Sequence, residues 1–147
     1  MDDLQALYQD LILDHAKHPH GRGEPGEPSS HQRNPVCGDE VILHADLDDG
    51  VVRAITWTGD GCSISQASAS MLTSLVEEEG GMPVADARER IAAFREALRS
   101  RGAVTLEEDV FGDASALSGV SKYTARVKCA MLAWVALEDV LARSPDR

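Results

Sequence analysis

An α+β fold, a small three-stranded antiparallel sheet packed with helices, is what this sequence predicts. Two observations carry the prediction. Residues 39–47 alternate between apolar and polar and run through Asp48-Asp49-Gly50, a hairpin turn signal, into a second β-rich segment at 51–58. Four other segments show the three- and four-residue apolar spacing of helices: 2–17, 66–78, 84–99 and 122–141. The 147 residues suit one domain with a real core, with no repeat and no low-complexity tract.

The first helix carries Leu4, Leu7, Tyr8, Leu11, Ile12 and His15 on one face. Asp2 and Asp3 cap its start, and Pro19 and Gly21 end it. Residues 19–35, rich in Pro and Gly, read as a loop, mobile or laid over the surface. In the first strand Val41, Leu43, Ala45 and Leu47 point one way, and Glu40, Ile42, His44 and Asp46 the other. The second strand is rich in Val, Ile, Thr and Trp. Gly59 and Gly61 permit a sharp turn, and a short third strand is expected over Cys62 to Ser65.

The helix from Gln66 to Glu78 opens with Ala67, Ser68, Ala69 and Ser70, small enough for another element to pack closely. Gly80-Gly81 stops it. The next helix buries Ala87, Ile91, Phe94 and Leu98. Residues 100–120 are less regular and carry several acids. The last helix has a stripe of Val127, Ala130, Trp134, Leu137 and Leu141.

Composition excludes some functions. A net charge of −11 argues against nonspecific nucleic-acid binding, which needs a basic surface, and permits a basic protein partner. No apolar run approaches the roughly 20 residues of a membrane span, and the opening Met1-Asp2-Asp3 lacks a secretory signal. With few cysteines as well, a cytoplasmic location is expected.

The three cysteines are the candidate chemistry. Cys37 and Cys62 sit in glycine-flanked turns and Cys129 in a helical pattern. With Asp39, two residues after Cys37, they would fill a tetrahedral metal site of the kind zinc or an iron–sulfur cluster takes. Their wide spacing is no paired knuckle, and three structural cysteines in a core would be the plain alternative. Cys62 precedes a helix, whose positive end stabilises a thiolate. Arg126, one turn before Cys129, is a candidate cation behind the ligands. None of the five histidines is assigned as a ligand. His15 reads as a hydrogen-bonded core residue, His18, His20 and His31 as solvated loop residues, and His44 as exposed on its strand. Trp57 and Trp134 read as core.

The motifs Asp14-His15-Ala16-Lys17-His18-Pro19, Asn34-Pro35-Val36-Cys37-Gly38-Asp39, Gly59-Asp60-Gly61-Cys62-Ser63-Ile64-Ser65-Gln66-Ala67-Ser68-Ala69-Ser70 and Lys128-Cys129 occur in this order. The chain resembles the iron–sulfur cluster assembly proteins of the IscU/NifU N-terminal type over nearly its whole length. Lys128 stands where scaffold IscU proteins have His, and there is extra length before Cys129. The run Leu117-Ser118-Gly119-Val120-Ser121-Lys122-Tyr123 looks like the SufU branch.

That resemblance implies an IscU/SufU-like fold and a tightly bound zinc held by Cys37, Asp39, Cys62 and Cys129. It also implies a pyridoxal-phosphate-dependent cysteine desulfurase as partner and a downstream iron–sulfur scaffold as recipient. The protein would then be a zinc-dependent sulfur acceptor, a sulfurtransferase in reaction terms. Cys37 would receive the sulfur, because a glycine-flanked loop lets it leave the metal with little strain. Two rivals remain: a scaffold that assembles and transfers a [2Fe–2S] cluster, and a zinc-stapled adaptor without sulfur chemistry.

Overall fold

The computed structural model describes residues 3–36 and 38–144. Asp2 and Cys37 lie outside the described residues, as do the side chains of Asp3 and Leu4. In chain order the elements are α1 (Asp3–Lys17), β1 (Ser29–Arg33), β2 (Glu40–Asp48), β3 (Val51–Asp60), α2 (Ser63–Glu78), β4 (Met82–Pro83), α3 (Val84–Arg99) and α4 (Glu108–Phe111). A 3-10 helix, Gly112–Lys122, then leads into α5 (Thr124–Arg143).

The α+β class holds, with four strands in place of three. They form an antiparallel sheet in the order β1-β2-β3-β4. Asp49 and Gly50 both take positive φ, 53° and 74°, so the β2–β3 hairpin closes on the two-residue turn that matches strand twist. Val41, Leu43 and Ala45 are fully buried, as the alternation requires. On β3 the register passes from Ala54 to Val52, leaving Arg53 as a bulge opposite Asp46 and Leu47. The extra residue brings Val52 and Ile55, three apart, onto the same buried face as Trp57.

Three expectations are corrected. Cys62 to Ser65 is not a strand: Cys62 is the extended residue before α2, which begins at Ser63. The outer strands lie elsewhere, at 29–33 within the expected loop and at Met82-Pro83. β1 is polar and only Ser30 in it is buried, so it has no apolar alternation to betray it. On α1, Leu7 is exposed, and Tyr8, Leu11, Ile12 and Ala16 make the packed face.

Helices α2 and α5 lie against the sheet and against each other. Their contact is close because α2 presents Ala67, Ser68 and Ala69, all fully buried. Ser68 Oγ donates to the carbonyl of Ala130 (2.6 Å) and accepts from Trp134 Nε1 (2.9 Å). Trp134 stacks on Phe94 of α3 with ring centroids 4.0 Å apart. His15 is the core residue expected. Its Nε2 donates to the Asp113 carboxylate (2.9 Å) and its Nδ1 is hydrogen-bonded to Ser70 Oγ (2.7 Å). A carboxylate only accepts, so in the neutral imidazole the proton sits on Nε2 and Ser70 O–H donates to Nδ1. Ser70 Oγ also accepts the backbone N–H of His20, which ties the loop after α1 onto α2.

The remaining histidines split. His18 is exposed, and His20 pairs with Glu77. His31 is on β1 beside Glu40. His44 is half-buried, with Nδ1 donating to the Pro28 carbonyl, because the loop before β1 folds over it.

Candidate metal centre

The site is assembled where the loop before β2, the turn before α2 and the second turn of α5 meet. Asn34 frames the first of these. Its backbone N–H donates to the Asp39 carbonyl, its own carbonyl accepts Gly38 N–H, and its side-chain oxygen accepts Val36 N–H (3.0 Å). One buried asparagine thus pins both ends of the loop that contains position 37, an Asx-turn arrangement. Val36 and Gly38, which flank Cys37, are exposed.

Asp39 is buried and turns its carboxylate to the start of α2, where Cys62 N–H donates to Oδ2 at 3.3 Å. The first turn of α2 has no acidic residue of its own, so Asp39 supplies the anion that a helix N-terminus favours. Gly61 makes this approach possible. A Cβ there would stand 2.6 Å from Asp39 Cγ and 2.7 Å from Ser65 Oγ. Gly59 is required for a similar reason: a Cβ would meet the Glu40 carbonyl at 2.4 Å.

A carboxylate oxygen of Asp39 and the sulfurs of Cys62 and Cys129 lie within 4.8 Å of one another. Cys62 is half-buried and Cys129 is 2% exposed. A zinc tetrahedron with bonds of about 2.3 Å to sulfur and 2.0–2.2 Å to oxygen has edges of roughly 3.5–3.8 Å. The three groups would therefore need to close by at most about an ångström. Two thiols and one carboxylate suit zinc and are too sulfur-rich for magnesium or calcium. Of the sequence candidates, these three are brought together, and Cys37 lies outside the described residues. Arg126 is exposed and lines, with Cys62, a groove of about 730 Å³ between α1 and the start of α5.

Residues 7–130 match the NifU-like N terminal domain family. The chain belongs to that family. It is similar to the protein named Zinc-dependent sulfurtransferase SufU of Bacillus subtilis (strain 168), with 36% identity over 96% of this chain and 93% of that one. It is also similar to the Iron-sulfur cluster assembly scaffold protein IscU of Streptococcus pyogenes serotype M1, with 34% identity over 99% and 89%. Among solved structures, the iron-sulfur cluster assembly scaffold protein for SUF system (FiSufU) from Fervidobacterium islandicum AW-1 superposes with a TM-score of 0.75 at 29% identity, over 93% of this chain and 98% of that one. The family expected from the motifs, and the likeness to SufU, are borne out. No helix among the described residues of this NifU-like domain is long and apolar enough to cross a membrane.

Asn34 and Gly61 were missed as contributors to the centre. The Asn-Pro dipeptide carried a turn signal for the first. Nothing local foretold that a carboxylate 22 positions earlier would press on Gly61.

Proposed function

We propose that this protein is a zinc-dependent sulfur acceptor that takes persulfide sulfur from a cysteine desulfurase and passes it into iron–sulfur cluster assembly. The observation that carries the reading is the convergence of Asp39, Cys62 and Cys129, in a chain that resembles a zinc-dependent sulfurtransferase along its length. Cys37 is the proposed fourth ligand and the sulfur-accepting residue, and Arg126 a proposed cation at the entrance. Bound zinc would keep the thiols deprotonated at neutral pH.

The transfer needs no oxidant or reductant. The Cys37 thiolate attacks the outer sulfur of the donor's persulfide. A new S–S bond forms on Cys37, the donor's S–S bond breaks, and its electron pair leaves on the donor's cysteine thiolate. Cys129, on a helix and buried, is a poor attacker, and Cys62 is held by the turn at Gly61. Cys37 is flanked by exposed residues and a glycine with φ of 83°, with nothing within 4 Å of a Cβ built there.

The scaffold reading is kept because relatives named IscU are nearly as similar. Lys128 argues against it. Its side chain lines a groove that none of Asp39, Cys62 and Cys129 borders, so it offers no fourth ligand. The deciding experiment is metal and acid-labile sulfide analysis of anaerobically purified protein, followed by cysteine desulfurase turnover with and without it. About one zinc per chain, no sulfide and strong stimulation are expected, and Cys37→Ala should accept no persulfide. Iron with matching sulfide would replace this reading with the scaffold, and acceptance by Cys37→Ala would remove Cys37 from its role.

A further inference from the structure

The chain is strongly acidic, yet one groove in it is basic. It runs between the end of α3, the loop after β1 and the first three turns of α5, and encloses about 550 Å³. Its floor is apolar: Val127, Met131 and Val135, at i, i+4 and i+8 of α5, with Leu98 of α3 beside them. Its rim carries Arg33, Arg99, Arg101 and Lys128, and among the described residues no Asp or Glu lines it. A fifth cation, Arg95, is neutralised by a two-bond contact with Glu138. The other four are exposed and have no carboxylate partner among the described residues. In a chain of net charge −11, four unpaired cations around one apolar trough need an explanation beyond solubility.

The groove also runs along the loop that leads to Cys37. Pro35 and Val36 form part of its wall, and Val36, 85% exposed, immediately precedes Cys37.

We propose that this groove is a docking site for an acidic, apolar-anchored segment of the sulfur-donor protein. Charge complementarity argues for it. A segment with carboxylates would meet four cations already free of partners, while one or two apolar side chains would cover Val127, Met131 and Val135. A small anion would leave the floor exposed. A nucleic acid would be repelled by the rest of the surface. Docking here places the donor beside the loop of Cys37, and the cations speed encounter more than they tighten the complex. The proposal rests on the sulfur-acceptor reading for the identity of the donor.

The test compares two double variants of equal charge change, each zinc-loaded, in stopped-flow association with the cysteine desulfurase at low and high salt. Arg99→Gln/Arg101→Asn removes two groove cations; asparagine is chosen because residue 101 has φ of 55°. Lys17→Gln/Arg53→Gln removes two cations elsewhere. The groove variant is expected to lose about 5–10-fold in association rate at low salt, with a flattened salt dependence, and the control less than about twofold. Equal effects from both variants, or none from the groove variant, would overturn the groove and leave the sulfur-acceptor reading standing. No binding of the desulfurase to wild type would overturn both.

Sedimentation equilibrium of the protein alone covers the remaining occupant. The outer side of α1 carries exposed Leu7, Asp10, Leu13 and Asp14, so a second copy has the right chemistry. A monomer is expected; a dimer abolished by Arg99→Gln/Arg101→Asn would assign the groove to self-association and overturn the proposal.

Discussion

Gly61 lies directly against the carboxyl group of Asp39. A methyl group at 61 would come within 2.6 Å of Asp39 Cγ and 2.8 Å of Oδ1. Asp39 cannot retreat easily, because it is buried and its Oδ2 already accepts the Cys62 N–H. Gly61→Ala should therefore displace the carboxylate from the two thiols. Overpacking of this kind costs about 1–3 kcal/mol. The expected outcome is a lower melting temperature and faster loss of zinc to a chelator. Retention of both at wild-type values would show that the cradle is not built on this contact.

The same contact marks where sequence reasoning stopped. The hairpin, the buried faces of β2, α3 and α5, and His15 as a core residue were legible because each is set by a local period or a local turn. Strand β1 was not, since Ser29–Arg33 has no apolar alternation and gains its place by pairing with β2 and by the hydrogen bond from Ser30 to Asp139 of α5. Strand β4 is two residues long and exists only through its pairing with Val51 and Val52. The start of α2 was misread because Ser63, Ile64 and Ser65 are compatible with either state, and Cys62 is itself extended. For the centre, Asp39, Cys62 and Cys129 could be named from residue type, but Gly61 and Asn34 act through distant partners. The basic groove draws its rim from three separate stretches of chain and has no signature in any of them.

Ser68 links the helix that follows Cys62 to the helix that carries Cys129. Its hydroxyl donates to the carbonyl of the residue after Cys129 and accepts the Trp134 N–H, all in a buried setting. Ser68→Ala leaves that indole N–H with no partner and costs about 1–3 kcal/mol. Thermal unfolding should show a fall of several degrees. In zinc-loaded protein the metal should also exchange faster, because α5 is no longer held to α2 beside its ligand. A fall in stability with unchanged metal exchange would separate the tie from the centre.

His15 joins three segments through two hydrogen bonds. Ser70 on α2 lies on one side of its ring and Asp113 of the 3-10 helix on the other. His15→Ala removes both bonds and leaves a cavity, for a cost of about 2–4 kcal/mol. Urea unfolding followed by circular dichroism should show a lower midpoint with little change in slope. A midpoint within error of wild type would mean that α1 is held by its apolar face alone.

Arg95 and Glu138 bind α3 to α5 at the edge of the basic groove, with bonds of 2.6 and 3.1 Å. The hydrogen bond from Arg95 pulls the Glu138 carboxyl below its usual range; partial burial opposes this, and the nearby positive charges of Arg95 and Arg88 add to it. Arg95 is correspondingly raised, first by the same hydrogen bond. A carboxyl group with a depressed pKa stabilises the fold above its unfolded value and loses that contribution as pH falls through the folded one. Glu138 is 46% exposed and Arg95 26%, so solvent screening keeps the pair below about 1 kcal/mol despite its two bonds. The stability gap between wild type and Glu138→Gln should thus be constant from about pH 6 to 8 and close below about pH 4. Denaturant titrations of both proteins at pH 7 and pH 3 read it directly. A gap of the same size at both would assign the effect of Glu138 to packing, because only the charged carboxylate is lost on acidification while the shape of the contact persists.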